Sequence, residues 1–317
     1  MRIVTDYAFT PEEAGQIEAA GVELVLCKNR GELLDKAAGA EVIYGSVDGE
    51  ILARASKLKW VQGGAAGVES LAQIMRHHPA VLTNFAGTFA PAISETAIGM
   101  LISLARGINR WYMPQFLARE WKPQGNAKSD HHAEISGRTM GIIGFGGIGQ
   151  ALARRAYYGF DMKILAVDPK PIPRPPFVAE LREPEWLMEM AAQADVLVAA
   201  APLSPLTERM FNEAVFRAMK KTAYFLALSR GKLIDDMALV KALQEGWIAG
   251  AGLDVFPQEP PPPEHPIFDC PNVVMTMHTS GWSPDRQKRL IAWFCENVRR
   301  YTKGLPLLNV VDKDKGY

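Results

Sequence analysis

Three polar residues follow one another in the C-terminal half of the sequence. They are Arg230 in Ser229-Arg230-Gly231, Glu259 in Val255-Phe256-Pro257-Gln258-Glu259-Pro260, and His278 in Met277-His278-Thr279-Ser280-Gly281. A guanidinium grips a carboxylate or carbonyl oxygen with paired hydrogen bonds. A histidine gives or takes a proton near neutral pH, and an acid beside it fixes its tautomer and favours the imidazolium. Upstream lies Gly144-Phe145-Gly146-Gly147-Ile148-Gly149, a Gly-x-Gly-x-x-Gly loop. Between a strand and a helix such a loop cradles the pyrophosphate of a dinucleotide. Gly144 makes the turn, Gly146 allows close backbone approach, and Gly149 allows close helix–strand packing. A dinucleotide cradle, a fixed cation and a histidine with an acidic partner are the parts needed to move a hydride and a proton onto a 2-keto acid.

Taken singly, each residue has a plainer reading: a glycine turn that binds nothing, an arginine in a surface ion pair, a solvated loop carboxylate, a histidine held by a backbone bond. Their placement changes the balance. Residues 139–143, 163–167, 195–200, 224–228, 248–255 and 273–277 read as strands with helical patterns between most of them, the rhythm of a parallel sheet. Ligands of such sheets lie at the C-terminal strand ends. Arg230, Glu259 and His278 each follow a different strand there. Asp168 ends the strand 163–167, where a carboxylate accepts bonds from ribose hydroxyls and repels a 2′-phosphate, which favours NAD over NADP. Lys170 and Arg174 stand close by and leave NADP open. Asp254 closes Gly250-Ala251-Gly252-Leu253-Asp254 as a partner for a nicotinamide carboxamide, with a cap or turn acid as the alternative.

The elements that position these residues begin earlier. Ile3-Val4, 22–26, 42–44 and 58–61 read as strands of a first domain. Thr10-Pro11-Glu12-Glu13 opens a helix, with Thr10 as cap, Pro11 in the first turn and Glu13 closing a capping box. A helix over 90–106 carries the chain into a second domain, a polar arm or loop covers 121–137, and a helix over 150–158 follows the glycine loop. Ser283 as cap and Pro284 in the first turn start a last helix reaching Tyr301. That helix can pack back on the first domain.

A chain of 317 residues suggests two domains. Hydrophobic content of 48% and charged content of 22% are those of a globular protein. Lys+Arg and Asp+Glu balance at 35 each, which leaves no basic excess for nucleic acid. Cys27, Cys270 and Cys295 lie far apart without Cys-x-x-Cys spacing, as expected of a reducing, cytoplasmic setting. Met1-Arg2-Ile3-Val4-Thr5-Asp6 meets an acid too early for a signal peptide, and the longest apolar run, near 97–105, is too short for a membrane span. His77-His78 and His131-His132 are adjacent pairs that face opposite ways on a strand, and His265 sits among prolines. All five read as surface residues, and no metal is expected.

As an ordered set, Ser229-Arg230-Gly231-Lys232-Leu233-Ile234-Asp235-Asp236, Gly252-Leu253-Asp254-Val255-Phe256 and His278-Thr279-Ser280-Gly281 resemble the D-isomer-specific 2-hydroxyacid dehydrogenases. This family includes glyoxylate/hydroxypyruvate reductases, D-lactate dehydrogenases and D-3-phosphoglycerate dehydrogenases. The likeness runs from Gly63-Gly64-Ala65-Ala66-Gly67-Val68-Glu69 to the last helix. It implies an α/β fold of two domains: a Rossmann-type doubly wound NAD-binding domain over 96–287, and a discontinuous flavodoxin-like substrate domain over 1–95 and 288–317. It implies that Arg230, Glu259 and His278 are catalytic, with the backbone of Ala66 and Gly67 joining Arg230 and His278 on the substrate. Gly144, Gly146, Gly147, Ile148, Gly149, Asp168, Thr207, Leu228, Arg230, Asp254, His278 and Gly281 fall at the dinucleotide. Trp121-Lys122-Pro123 resembles the dimer arm of hydroxypyruvate reductases, so a homodimer is expected.

The implied activity is NAD-dependent reduction of a short 2-keto acid of the glyoxylate or hydroxypyruvate type, with His278 as proton donor. Glu69 replaces the commoner aspartate, Met277 the usual proline, and no asparagine precedes Ser229-Arg230. These departures bear on the substrate and leave the catalytic groups in place. Two alternatives share the architecture. A formate dehydrogenase-like enzyme pairs its histidine with glutamine, so Glu259 speaks against it. An NAD-sensing, corepressor-type binding protein keeps the same site, although basic regions and docking tails are not evident.

Overall fold

The computed structural model describes residues 1–122 and 132–317. Contacts divide the chain into two units, Met1–Phe89 with Ser283–Tyr317, and Ala90–Trp282.

The first unit is a five-stranded parallel sheet of β1 (Arg2–Thr5), β2 (Glu23–Leu26), β3 (Val42–Tyr44), β4 (Trp60–Gln62) and β5 (Val81–Thr83), in the order β2-β1-β3-β4-β5. This is the flavodoxin-like order. Helices α1 (Pro11–Glu18), α2 (Arg30–Lys36), α3 (Gly49–Arg54) and α4 (Glu69–Ile74) connect the strands. The capping box at α1 forms as expected: Glu13 N donates to Thr10 Oγ1 at 3.3 Å, and Thr10 N donates to Glu13 Oε2 at 2.8 Å. Strand β5 is short, with Val81 exposed, and its alternation is too brief to stand out in the sequence.

The C-terminal helix, Arg286–Thr302, belongs to this unit. Its start differs from expectation. Ser283 does not cap it; Asp285 holds the N-cap position without a side-chain bond. The Ser283-Pro284 pair instead forms a turn before the helix, with Arg286 N donating to Ser283 O at 3.1 Å, while Ser283 Oγ accepts from Arg289 Nη2 at 3.1 Å. Leu290, Ile291, Phe294 and Val298 fall on one helical face and enter a core with Tyr44, Trp60 and Phe85. The Phe294 ring lies 5.0 Å from that of Tyr44 and 5.7 Å from that of Trp60. Phe294→Ala is expected to lower stability by about 3–5 kcal/mol, read from urea unfolding. A loss below about 1 kcal/mol, the scale of a volume-conserving swap, would show that the helix does not seal this core.

The second unit is a seven-stranded, wholly parallel sheet. Its strands are β6 (Thr139–Ile143), β7 (Lys163–Val167), β8 (Glu180–Arg182), β9 (Val196–Ala199), β10 (Tyr224–Ala227), β11 (Gly250–Leu253) and β12 (Val273–Met275), ordered β12-β11-β10-β9-β6-β7-β8. The chain moves outward from β6 to β8, then returns to β9 on the other side of β6. This doubly wound order puts the topological switch point between β6 and β9. The linking helices are α5 (Ala90–Ala105), α6 (Met113–Leu117), α7 (Gly147–Phe160), α8 (Leu187–Gln193), α9 (Glu213–Ala218) and α10 (Asp236–Gln244). Both faces are covered, so the central strands are apolar throughout. Leu197, Ala199, Phe225 and Ala227 point to one core, and Val196, Val198 and Leu226 to the other. Edge strand β8, Glu180-Leu181-Arg182, has two charged residues out of three, so the sequence shows no apolar run there. Helix α7 begins at Gly147 rather than Gln150, because the glycine loop itself forms its first turn.

Among the described residues, no helix is long and apolar enough to cross a membrane. Trp121 is 92% exposed; Pro123, the rest of the expected arm up to His131, and His131 itself lie outside the described residues.

Candidate active site

The glycine loop links β6 to α7. Gly144 has φ +89°, and a Cβ there would sit 2.5 Å from the backbone of Ala201. Gly149 packs so closely that a Cβ would lie 2.3 Å from the Gly144 carbonyl oxygen. Gly146, by contrast, has nothing within 4 Å of its Cβ position. It is also the N-cap of α7 and supplies no side-chain bond to the first-turn amides. Open space in front of uncapped N–H groups at the positive end of a 14-residue helix suits a pyrophosphate. Beyond the loop, Asp168 Oδ2 accepts from Phe145 N and Oδ1 from Lys170 N, both at 2.8 Å. The carboxylate is thereby fixed beside the loop. Each oxygen keeps a further lone pair, enough for the two hydroxyls of a ribose.

Strands β10, β11 and β12 lie side by side, with Ala227 paired to Leu253 and Leu253 to Met275. Arg230, Asp254 and His278 follow these strand ends on the sheet's C-terminal side. Glu259 comes from the loop after β11. His278 Nδ1 and Glu259 Oε2 are 2.8 Å apart, and Glu259 Oε1 accepts from Phe256 N at 2.9 Å. Both carboxylate oxygens of Glu259 are therefore used to hold it and the imidazole in fixed relation. The bond at Nδ1 leaves Nε2 as the ring nitrogen for proton transfer. The His278 side chain is 49% exposed, so reactants can reach it.

Arg230 stands one residue before Gly231, whose Cβ would meet Phe256 C and O at 1.9 Å. No side chain fits there, and this contact seats the Arg230 segment against the start of the Glu259 loop. Arg230 has an extended backbone, φ −137° and ψ 132°, and its Nη1 donates to Ser229 O at 2.8 Å.

Asp254 does more than its sequence position announced. It is 4% exposed. Its Oδ1 accepts from Thr276 Oγ1 at 2.6 Å and from Thr279 N and Ser280 N, each at 3.0 Å, while Oδ2 bonds Ser280 Oγ. Its backbone carbonyl accepts from His278 N at 2.8 Å. His278 has φ +56°, a left-handed conformation that costs a non-glycine residue roughly 1–2 kcal/mol. The Asp254 bonds surround that strained residue and hold it. A nicotinamide carboxamide would have to use the lone pair that Ser280 leaves on Oδ2.

The other expected contacts are placed as follows. Gly147 and Ile148 form the first turn of α7. Leu228 is buried just past β10, and its N donates to Ala199 O at 3.1 Å. The Thr207 hydroxyl donates to Pro202 O at 2.7 Å and accepts from Ser204 N at 2.8 Å, so it braces its own loop. Gly281 lies half-buried in the turn after His278. Ala66 and Gly67 belong to the first unit, in the loop after β4, where Asn84 Nδ2 donates to Ala66 O at 2.7 Å.

The surface reading of the other histidines needs correction at His265, His78 and His132. His265 is only 11% exposed, with Nε2 3.3 Å from Asp236 Oδ2 and Nδ1 accepting from Ile267 N at 3.2 Å. Its apolar partner Phe256 is distant in the local sequence pattern, so neighbouring prolines gave the wrong cue. His78 is half-buried, and its Nδ1 accepts from Ala80 N at 3.1 Å; desolvation, assisted by Lys313, holds its pKa below the usual value. His132 is half-buried, with its Nε2 2.9 Å from the Tyr112 hydroxyl. His77 is exposed.

Comparison with known proteins agrees with this architecture. Residues 98–280 match the family model described as D-isomer specific 2-hydroxyacid dehydrogenase, NAD binding domain. A glyoxylate reductase of Korarchaeum cryptofilum is 37% identical over 237 residues, covering 74% of this chain and 69% of that protein. The NADPH-dependent glyoxylate/hydroxypyruvate reductase of Sinorhizobium meliloti, solved with NADP and sulfate, superposes with a TM-score of 0.82 at 26% identity, covering 100% of this chain and 99% of that one. A D-isomer specific 2-hydroxyacid dehydrogenase of Lactobacillus delbrueckii ssp. bulgaricus, in its NAD complexed form, superposes with a TM-score of 0.79 at 25% identity, covering 98% of this chain and 100% of that one. With a family model spanning more than half of its length and a doubly wound sheet carrying the glycine loop, the chain belongs to the D-isomer specific 2-hydroxyacid dehydrogenases.

Proposed function

We propose that the protein reduces a short 2-keto acid of the glyoxylate or hydroxypyruvate type to the D-2-hydroxy acid, with a nicotinamide dinucleotide as cofactor and NAD favoured over NADP. The observation that carries this reading is the 2.8 Å pair of His278 Nδ1 and Glu259 Oε2, held at strand ends beside the Arg230 segment. The bound nicotinamide supplies the hydride. Arg230 grips the substrate carboxylate and stabilises the negative charge that develops on the keto oxygen. His278, as imidazolium, gives the Nε2 proton to that oxygen, and Glu259 stabilises the imidazolium and keeps the ring oriented. In the reverse direction the neutral ring takes the proton. The backbone of Ala66 and Gly67 supplies a second hold on the carboxylate, which makes the first unit the substrate domain and the second the cofactor domain. Gly144 to Gly149 take the pyrophosphate, and Thr207, Leu228, Asp254 and Gly281 complete the dinucleotide's surroundings.

The cofactor preference rests on Asp168. Its fixed carboxylate accepts from ribose hydroxyls and repels a 2′-phosphate. Asp168→Ala is expected to raise the KM for NADH by about tenfold, the scale of one charge-assisted hydrogen bond, and to narrow the gap to NADPH. An unchanged preference would show that another residue reads the ribose.

A homodimer is also proposed, on the apolar side chains exposed along residues 108–121. Phe116 and Leu117 are each 73% exposed and Trp121 92%, an apolar display that marks interaction surfaces. The test of the activity is a panel of glyoxylate, hydroxypyruvate, pyruvate and bulkier 2-keto acids, assayed by NADH and NADPH oxidation. Turnover with the short acids, faster with NADH, is expected. Dinucleotide binding without turnover on any acid would instead support a sensor.

A further inference from the structure

We infer that His265 is a positioning residue for the Glu259–His278 pair, acting through Phe256; the inference rests on the proton-transfer role proposed for that pair. The loop carrying Glu259 contains Pro257 and Pro260 to Pro263. Prolines have no N–H, so this loop has few backbone donors with which to anchor itself. Its start is held at Phe256 instead. There the backbone N donates to Glu259 Oε1 at 2.9 Å, the carbonyl abuts Gly231, and the ring meets the His265 ring edge to face, with centroids 4.9 Å apart and planes at 84°.

His265 is itself held at Nδ1 and enclosed at Nε2. Its Nδ1 accepts from Ile267 N at 3.2 Å, at the head of the 3-10 turn Pro266–Asp269. That bond places the ring proton on Nε2. Nε2 is buried 3.3 Å from Asp236 Oδ2, in the first turn of α10, close to the carboxylate though not aligned for a hydrogen bond. A run of direct contacts therefore leads from α10 to the proton donor: Asp236, His265, Phe256, Glu259, His278. The ring of His265 fixes where Phe256 sits, and the Phe256 amide fixes which way the Glu259 carboxylate points. None of these contacts gives His265 access to the reactants.

A double-mutant cycle between His265→Ala and Glu259→Gln tests this. It is read by kcat and KM for the best keto acid of the panel, NADH affinity by fluorescence titration, and the thermal midpoint. Misplacing a catalytic group by an ångström costs up to about a hundredfold. His265→Ala is expected to lower kcat roughly tenfold, with NADH affinity within about twofold of wild type. In the Glu259→Gln background the same substitution is expected to change kcat by less than about twofold, because the group it positions is already gone. His265→Phe, which keeps an aromatic edge against Phe256, is expected to recover most of the loss. Phe256→Leu removes the ring contact with His265 in place and carries the same cycle should His265→Ala fail to fold. An unchanged kcat in the single variants, or an equal fall in both backgrounds, overturns the inference. A wild-type chain that reduces no keto acid removes the proposed function and this inference together. Normal turnover with an additive cycle removes this inference alone.

Discussion

His278→Gln is expected to lower kcat by about a hundredfold or more, the usual contribution of a positioned proton donor. Glutamine is polar and of similar reach, and its amide can still donate to Glu259 Oε2. It cannot release a proton to an oxygen in the transition state. The bonds of Thr276, Thr279 and Ser280 to Asp254 hold this turn independently of the imidazole. NADH affinity and folded structure should therefore persist, and the KM for the keto acid should change far less than kcat. Steady-state kinetics with NADH titrated separately by fluorescence checks both halves. A variant with near wild-type kcat would remove His278 from the proton-transfer role.

Arg230→Ala is expected to lower kcat/KM by about two to four orders of magnitude. The guanidinium is assigned two tasks, holding the carboxylate in the ground state and stabilising oxygen charge in the transition state. Its loss should raise KM and lower kcat together, unlike His278→Gln. Arg230→Lys should recover only part, because an ammonium lacks the planar fork that binds a carboxylate through two parallel bonds. The backbone contact of Gly231 with Phe256 is untouched by either change, so the Glu259 loop stays seated. A raised KM with unchanged kcat would leave Arg230 as a binding residue only.

Much of the fold was legible because its signals are local. The apolar runs of β6 and β7 match their strands residue for residue. The Thr10 box closes where Thr10 and Glu13 put it. The C-terminal helix shows the face that packs on the first unit as a run of apolar residues at helical spacing. The edge strands β5 and β8 were not legible, because three residues without a longer apolar run around them carry no usable period. The Ser283-Pro284 pair misled because the same two residues that open a helix also make a turn.

At the site, the residues proposed to act on a substrate stand out by type and order. Those that hold them do not. Asp254 read as a cofactor contact or a turn acid, and the sequence does not show that four donors surround its carboxylate and secure the left-handed His278, an arrangement set by the register of β11 against β12. His265 read as a surface residue, and only tertiary packing brings Phe256 and Asp236 to it. Such roles depend on contacts between separate elements, which no spacing along one element records.

The central claim is that Arg230, Glu259 and His278 converge on one keto acid next to the reactive ring of a nicotinamide. A crystal structure of the protein with oxidised cofactor and oxamate, an unreactive mimic of a 2-keto acid, tests it most directly. The expected result has the Arg230 guanidinium on the oxamate carboxylate, His278 Nε2 within hydrogen-bond distance of the oxygen that stands for the keto group, and Glu259 still on Nδ1. Oxamate seated away from both side chains, or the imidazole parted from Glu259 in that complex, would contradict it.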